Sequence, residues 1–290
     1  MHIKGLYTAL VTPFKNGSVD YETLANLVEF QIRNGVDGIS PVGTTGESPT
    51  LSMEEHQKVI ETVISVANGR CKILAGSGGN STEEALLLTQ QAKRDGADYS
   101  LQVTPYYNKP TQEGLYRHFA TIADKCDIPI VLYNVPGRSG VAIAPDTIAR
   151  LVKNHNIAGV KEAGGSVERV SEILDRCDVP VLSGDDSLTL PMMAVGACGV
   201  VSVASNIVPK EMKLLVDLAA NSDMANALLL HKKLYRFFKA MFVETNPIPV
   251  KCAMALRNML FEEYRLPLCP PSDANREFLK KILENTPVDA

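Results

Sequence analysis

The chain has 290 residues, a formal net charge of -4 and six cysteines. A calculated pI near 5.8, with no run of basic residues, supplies no general attraction for nucleic acid or an anionic membrane, so a small-molecule partner is expected. Cys71, Cys126, Cys177, Cys198, Cys252 and Cys269 form no CxxC pair and lie among apolar residues, which predicts reduced core thiols of a cytoplasmic protein and excludes a disulfide framework.

The opening MHIKGLYTALVTPF lacks the sustained apolar core and small-residue cleavage site of a signal peptide, and reads as a first strand over 5–11. Further strands are predicted near 36–42, 71–76, 98–104, 129–134, 157–161, 180–183 and 199–204. Amphipathic segments lie between them, two opened by Ser52 with Glu55 and by Ser81 with Glu84, the spacing of a capping box. RNGVDGIS at 33–40, RDGADYSL at 94–101 and AVGACGVV at 194–201 repeat one pattern: helix end, capping glycine, incoming strand. KCDIPIVL at 125–132 is echoed by RCDVPVLS at 176–183. Residues 187–209 carry no charge and are numerous enough to span a bilayer. Pro191, Gly196, Gly199 and Asn206 interrupt them, however, and they divide into a short helix and the β-branched run GVVSVAS, so a membrane span is rejected. Eight strand–helix units with mostly apolar strands predict an α/β fold, a parallel (β/α)8 TIM barrel over residues 1–222. Residues 223–290, with helical patterns only, are expected to form a C-terminal helical appendage. The competing open doubly wound sheet lacks its GxGxxG after the first strand.

In such a barrel, reactive groups gather at the carboxyl ends of the strands. The second strand ends in SPVGTTGES, residues 40–48. Its glycines let the backbone approach a ligand and Thr44 and Thr45 add hydroxyls, which suits a carboxylate, a phosphate or simply a tight loop. The fourth strand ends in VTPYYNKP with Tyr106 and Tyr107, the fifth in LYNVPGRSG with Tyr133 and Arg138. The sixth, IAGVKEAGG at 157–165, places Lys161 inside an apolar strand. Burying an ammonium is costly, so Lys161 either reaches solvent along its stem or does chemistry. The period of two puts Gly159, Lys161 and Ala163 on one side, where small neighbours leave the lysine room. An amine that can be neutral, hydroxyls for a carboxylate, a phenol for proton transfer and a guanidinium for a second carboxylate together describe Schiff-base chemistry on a keto acid. No thiamine, flavin or metal motif competes, and no metal or cofactor is expected.

GTTGE, TPYYN, YNVPGRSG, GVKEA, LSGDD and VETNPIPVK resemble the dihydrodipicolinate synthase family of pyruvate-dependent class I aldolases, over essentially the whole chain. GTTGE and GVKEA are shared with N-acetylneuraminate lyase and related aldolases; the tyrosine pair, the arginine of YNVPGRSG and NPIPVK point to the synthase family itself. The resemblance implies that Lys161 forms an imine with pyruvate and that Tyr133 transfers protons. Thr45 would hold the pyruvate carboxylate, Thr44 would link Tyr133 to Tyr107 of a neighbouring subunit, and Arg138 would bind the carboxylate of L-aspartate 4-semialdehyde. Backbone groups of Gly184 and Val201 would line the pyruvate pocket, with valine where the family often has isoleucine. The implied product is 4-hydroxy-tetrahydrodipicolinate, made in the cytoplasm by a homotetramer built as a dimer of dimers.

The resemblance further implies an L-lysine effector site at Ser48, His56, Asn80, Glu84 and Tyr106. Pro49 and Met53 depart from the enteric bacterial pattern, which has alanine and histidine there. Structural readings stand beside this one: Glu84 completing a capping box after Ser81, and His56 on the outer polar face of a helix. Two rival functions also follow from the residues. Another pyruvate-dependent aldolase acting on a sugar acid would keep Lys161 and Tyr133 without needing Arg138, whereas a non-catalytic ligand-binding barrel is expected to have lost Lys161 or Tyr133.

Overall fold

The computed structural model describes residues 3–286. Among the described residues ten strands form in chain order: β1 (Gly5–Ala9), β2 (Phe14–Lys15), β3 (Ser18–Val19), β4 (Gly38–Ser40), β5 (Lys72–Gly76), β6 (Tyr99–Val103), β7 (Ile130–Asn134), β8 (Ile157–Glu162), β9 (Val181–Ser183) and β10 (Gly199–Ser202). The predicted eight are short and almost wholly buried, as strands covered on both faces must be. They close into one parallel barrel in the order β1-β10-β9-β8-β7-β6-β5-β4, so that β1 lies between β10 and β4.

The remaining strands, β2 and β3, make an antiparallel hairpin that the strand assignment above omits. Its turn is Asn16-Gly17, both at positive φ (54° and 80°), the pair that a tight two-residue hairpin favours. The signal was present in KNGS but flanked by too little strand to register.

Helices alternate with the barrel strands: α1 (Tyr21–Arg33), α2 (Met53–Ala67), α3 (Thr82–Asp95), α4 (Gln112–Lys125), the short α5 (Pro136–Ser139), α6 (Pro145–Leu151), α7 (Val167–Arg176), α8 (Thr189–Ala194) and α9 (Pro209–Ala220). Ser52 and Glu55 form the full reciprocal capping box of α2. At α3 the Ser81 hydroxyl accepts from the Glu84 amide. Gly35, Gly96 and Gly196, the glycines of the three repeated junctions, all take positive φ, where a Cβ would be strained. The uncharged stretch 187–209 resolves into α8, β10 and the start of α9, and among the described residues no helix is long and apolar enough to cross a membrane.

Beyond the barrel come α10 (Met224–Ala240), α11 (Ile248–Leu256) and α12 (Asp273–Glu284). Phe237, Phe238, Met241, Val250, Met254 and Leu279 belong to the same buried cluster as Leu6 of β1, so these helices extend the barrel's core. The core-thiol expectation holds for Cys71, Cys126 and Cys252, which are buried, while Cys177 and Cys198 are partly so. It fails for Cys269, which is exposed: its apolar neighbours lie in the loop between α11 and α12, where sequence hydrophobicity does not report burial.

Candidate active site

The loop after β4 is bent tightly. Gly46, Glu47 and Ser48 donate their amides back to Gly43 and Thr44 carbonyls, and Val42 adopts φ 48°, a strained conformation for a β-branched residue. Gly76 of β5 accommodates it, since a Cβ there would stand 2.5 Å from the Val42 carbonyl oxygen. Thr45 is 3% exposed and its Oγ1 accepts a 3.0 Å hydrogen bond from Asn246 Nδ2. Thr44 faces the neighbouring cavity.

On the facing strands, parallel register sets Tyr133 of β7 beside Lys161 of β8. Lys161 is only 7% exposed, with Nζ over the Tyr133 ring 4.1 Å from its centroid. The carboxylate of Glu162, its neighbour in sequence, lies 3.9 Å from Arg169 Nε. Gly159 serves a different purpose from the one expected: a Cβ there would meet Ile3 Cγ2 at 2.8 Å, so the missing side chain admits Ile3 and does not make room for the lysine. The register shift in β8 falls between Ile157 and Gly159, and from Gly159 to Glu162 the pairing with β7 is regular. Glu162, next along, is fully buried and accepts from Asn134 Nδ2 and the Gly164 amide. Burial pushes its pKa up.

Gly184 follows β9 and packs so closely that a Cβ would lie 2.5 Å from Ala163 Cβ. Its amide donates to the Glu162 carbonyl at 2.7 Å. Val201 is buried in β10 beside Tyr7 of β1. Asp186, fully buried, accepts from the Val203 and Ala204 amides at 3.1 and 2.8 Å and so holds the turn after β10. Desolvation raises its pKa to about 6.

Arg138, on α5, donates from Nη2 to the Asn246 carbonyl at 3.2 Å. Together with Thr44, Tyr133, Ser48 and Tyr106 it lines a cavity of about 240 Å³. Thr44 and Tyr133 are therefore brought together with Arg138, and Lys161 adjoins them through the Tyr133 ring. Tyr107 is not brought in: it is 92% exposed at φ 72°. Neither Thr44 Oγ1 nor the Tyr133 hydroxyl has a hydrogen-bond partner among the described residues, so the three-residue relay is not assembled within one chain. No three His, Cys, Asp or Glu side chains among the described residues converge as a metal site would require.

The effector candidates divide into two groups. Asn80 Nδ2 donates to the Tyr106 carbonyl, and Glu84 acts on the Tyr106 phenol, whose pKa burial and then that carboxylate push up. Ser48 and Pro49 line the same cavity as Tyr106. His56 faces inward, contrary to the outer-face reading. It is buried, bonded through Nε2 to the Gly76 carbonyl at 2.9 Å, and desolvation lowers its pKa. Met53 and His56 border a separate groove of about 170 Å³ with Gln57, Ile60, Leu87 and Gln91.

Three residues at the rim were not singled out from sequence: Asn246, Lys251 and Glu47. Lys251 and Glu47 form a 2.5 Å ion pair with both side chains fully buried, and Glu47 sits at φ 54°. The signal for Lys251 was the one that exposed Lys161, a lone lysine inside the apolar run PIPVKCAMAL.

A family model described as "Dihydrodipicolinate synthetase family" matches residues 2–286. The 4-hydroxy-tetrahydrodipicolinate synthase of Pelobacter propionicus is 54% identical over 284 residues, 97% of this chain and 98% of that protein. Among solved structures, a dihydrodipicolinate synthase from Acinetobacter baumannii complexed with pyruvate superimposes with a TM-score of 0.97 at 46% identity, covering 99% of this chain and 100% of that one. The enzyme of Cyanidioschyzon merolae with lysine bound gives 0.95 at 38% identity, covering 99% of each chain.

Proposed function

The chain belongs to the dihydrodipicolinate synthetase family, and from that premise we propose that Lys161, Tyr133, Thr44, Thr45 and Arg138 carry its reaction. The enzyme is a lyase of the Schiff-base class I aldolase type, condensing pyruvate with L-aspartate 4-semialdehyde to 4-hydroxy-tetrahydrodipicolinate in diaminopimelate and lysine biosynthesis. Neutral Lys161 Nζ attacks the keto carbon of pyruvate, and loss of water gives an imine that acts as an electron sink. Removal of a methyl proton yields an enamine, which adds to the aldehyde. The substrate's own amine then displaces Lys161 as the ring closes. Tyr133 moves the protons, drawing on Thr44 and on Tyr107 of a neighbouring copy because a lone phenol is a weak base near neutral pH. Thr45, with backbone groups of Gly184 and Val201, seats the pyruvate, and Arg138 grips the second carboxylate. The exposed Tyr107 favours a shared site in a dimer, two dimers making the tetramer. The six free cysteines suit the reducing cytoplasm.

The observation that carries this reading is the pairing of Tyr133 with Lys161 at the strand ends, beside a cavity lined by Thr44 and Arg138. Borohydride added with pyruvate is expected to fix the imine as a stable adduct on Lys161, read by peptide mass. An adduct elsewhere, or none, sinks the mechanism.

L-Lysine, the end product, is proposed as a moderate inhibitor at Ser48, His56, Asn80, Glu84 and Tyr106. With Nε2 committed as donor to Gly76, a neutral His56 offers Nδ1 as an acceptor for an ammonium. Methionine at 53 removes one polar contact, which weakens binding by about 0.5–1.5 kcal/mol, or about two- to twelvefold. Inhibition should be measurable and accompanied by calorimetric binding; unchanged activity at tens-of-millimolar lysine with no heat of binding would remove the effector site.

A further inference from the structure

Thr45 can hold a carboxylate only if its hydroxyl proton points at it. A hydroxyl carries one proton and two lone pairs, so whatever else bonds to Oγ1 decides where that proton goes. Here the only partner among the described residues is Asn246 Nδ2, a donor, at 3.0 Å. The Thr45 lone pair is thereby occupied and its proton left free for a ligand. The main-chain carbonyl of Asn246 accepts from Arg138 Nη2 at 3.2 Å. Asn246 is 6% exposed and comes from the segment between α10 and α11, outside the barrel.

That segment is fastened to the loop it serves. Five residues after Asn246, the Lys251 ammonium meets Glu47 at 2.5 Å with both side chains fully buried, and the Arg265 amide reaches the other Glu47 oxygen at 3.4 Å. Asn246 touches Thr45 and Lys251 touches Glu47, so two short stretches of chain are joined at two points. Such a double attachment fixes Asn246 within the tolerance that hydrogen-bond direction demands.

We propose that Asn246 is a positioning residue that aims the Thr45 hydroxyl proton at the pyruvate carboxylate while its carbonyl holds Arg138 in place, so that one residue orders both carboxylate seats. This deepens the reaction reading above and rests on it. An amide turned the other way would accept the Thr45 proton and take it from the substrate, which makes the orientation testable.

The test replaces the amide by its acid, Asn246→Asp, and measures the pyruvate concentration that half-saturates borohydride trapping. At neutral pH an ionised aspartate accepts the Thr45 proton and repels the pyruvate carboxylate. Half-saturation should rise about tenfold or more, the range of one charge-assisted hydrogen bond, while kcat at saturating pyruvate changes less. As pH falls the protonated acid regains a donor in the place of Nδ2, and half-saturation should return toward the wild-type value measured at the same pH. Adding Thr45→Val should produce little further loss in the aspartate background, because the two changes remove one interaction. Asn246→Ala, lacking both donor and charge, should raise half-saturation about two- to twelvefold and decides the matter if the aspartate variant does not fold. Unchanged half-saturation in either folded variant, or a rise independent of pH and of Thr45, overturns the proposal. A wild-type enzyme that gives no pyruvate adduct instead overturns the reaction reading beneath it.

Discussion

Arg138→Ala is expected to lower kcat/KM for L-aspartate 4-semialdehyde by about a hundredfold or more, while pyruvate still forms its borohydride-trappable imine. A guanidinium grips a carboxylate through two charge-assisted hydrogen bonds, each contributing about 1.5–3 kcal/mol, and alanine leaves that carboxylate unpaired. The damage should fall on the second substrate. Arg138 lies on α5 and lines the cavity, whereas Lys161 is reached from β8 beneath the same rim. Arg138→Lys should recover only part of the loss, since an ammonium keeps the charge without the planar fork. Steady-state kinetics varying each substrate in turn checks the split. Equal loss of imine formation and semialdehyde use would show that Arg138 acts on pyruvate as well.

Lys251→Met should destabilise the fold by about 3–5 kcal/mol, lowering Tm on the order of 10 °C, because it strands the buried Glu47 carboxylate without its countercharge. Glu47 and Lys251 are both fully buried. Burial drives the Lys251 pKa down against the upward pull of Glu47, and the rings of Phe14 and Tyr264 lie 4.3 and 5.3 Å from the ammonium. Removing both charges, Glu47→Gln with Lys251→Met, should restore most of the lost stability, since it is the unpaired ion that costs most. Thermal and denaturant unfolding of the two variants give the comparison. A single variant as stable as the wild type would mean that solvent reaches Glu47 freely.

The barrel was legible because its signals are local and repeated. Positive-φ glycines at 35, 96 and 196 and eight apolar runs each announce one unit, and the repetition supplies the topology. Lys161, Tyr133, Thr44 and Arg138 could be picked out together for a related reason: strand ends of a barrel share one rim, so reading the strands brings these candidates to one place. Contacts made by the segment after α10 were not. Asn246 meets Thr45 and Lys251 meets Glu47 across some 200 positions, and no periodicity in either stretch encodes that meeting. Gly159 shows the opposite hazard. Alternation was read as a gap beside Lys161, but the side chain of Ile3, roughly 160 residues away in sequence, fills the space at Gly159.

The ring order has a consequence for how the chain is made. β1 hydrogen-bonds β10 on one side, and Gly5 and its partner Gly199 are roughly 200 residues apart. On a ribosome adding about 5–20 residues per second, β1 emerges about 10–40 s before the strand that completes it. Throughout that interval one row of its amides and carbonyls has no partner, and Leu6 lacks the neighbours from β10 that bury it. An unpaired apolar edge is a template for another chain, so the nascent protein passes through a window of aggregation risk that closes only when the eighth barrel strand docks.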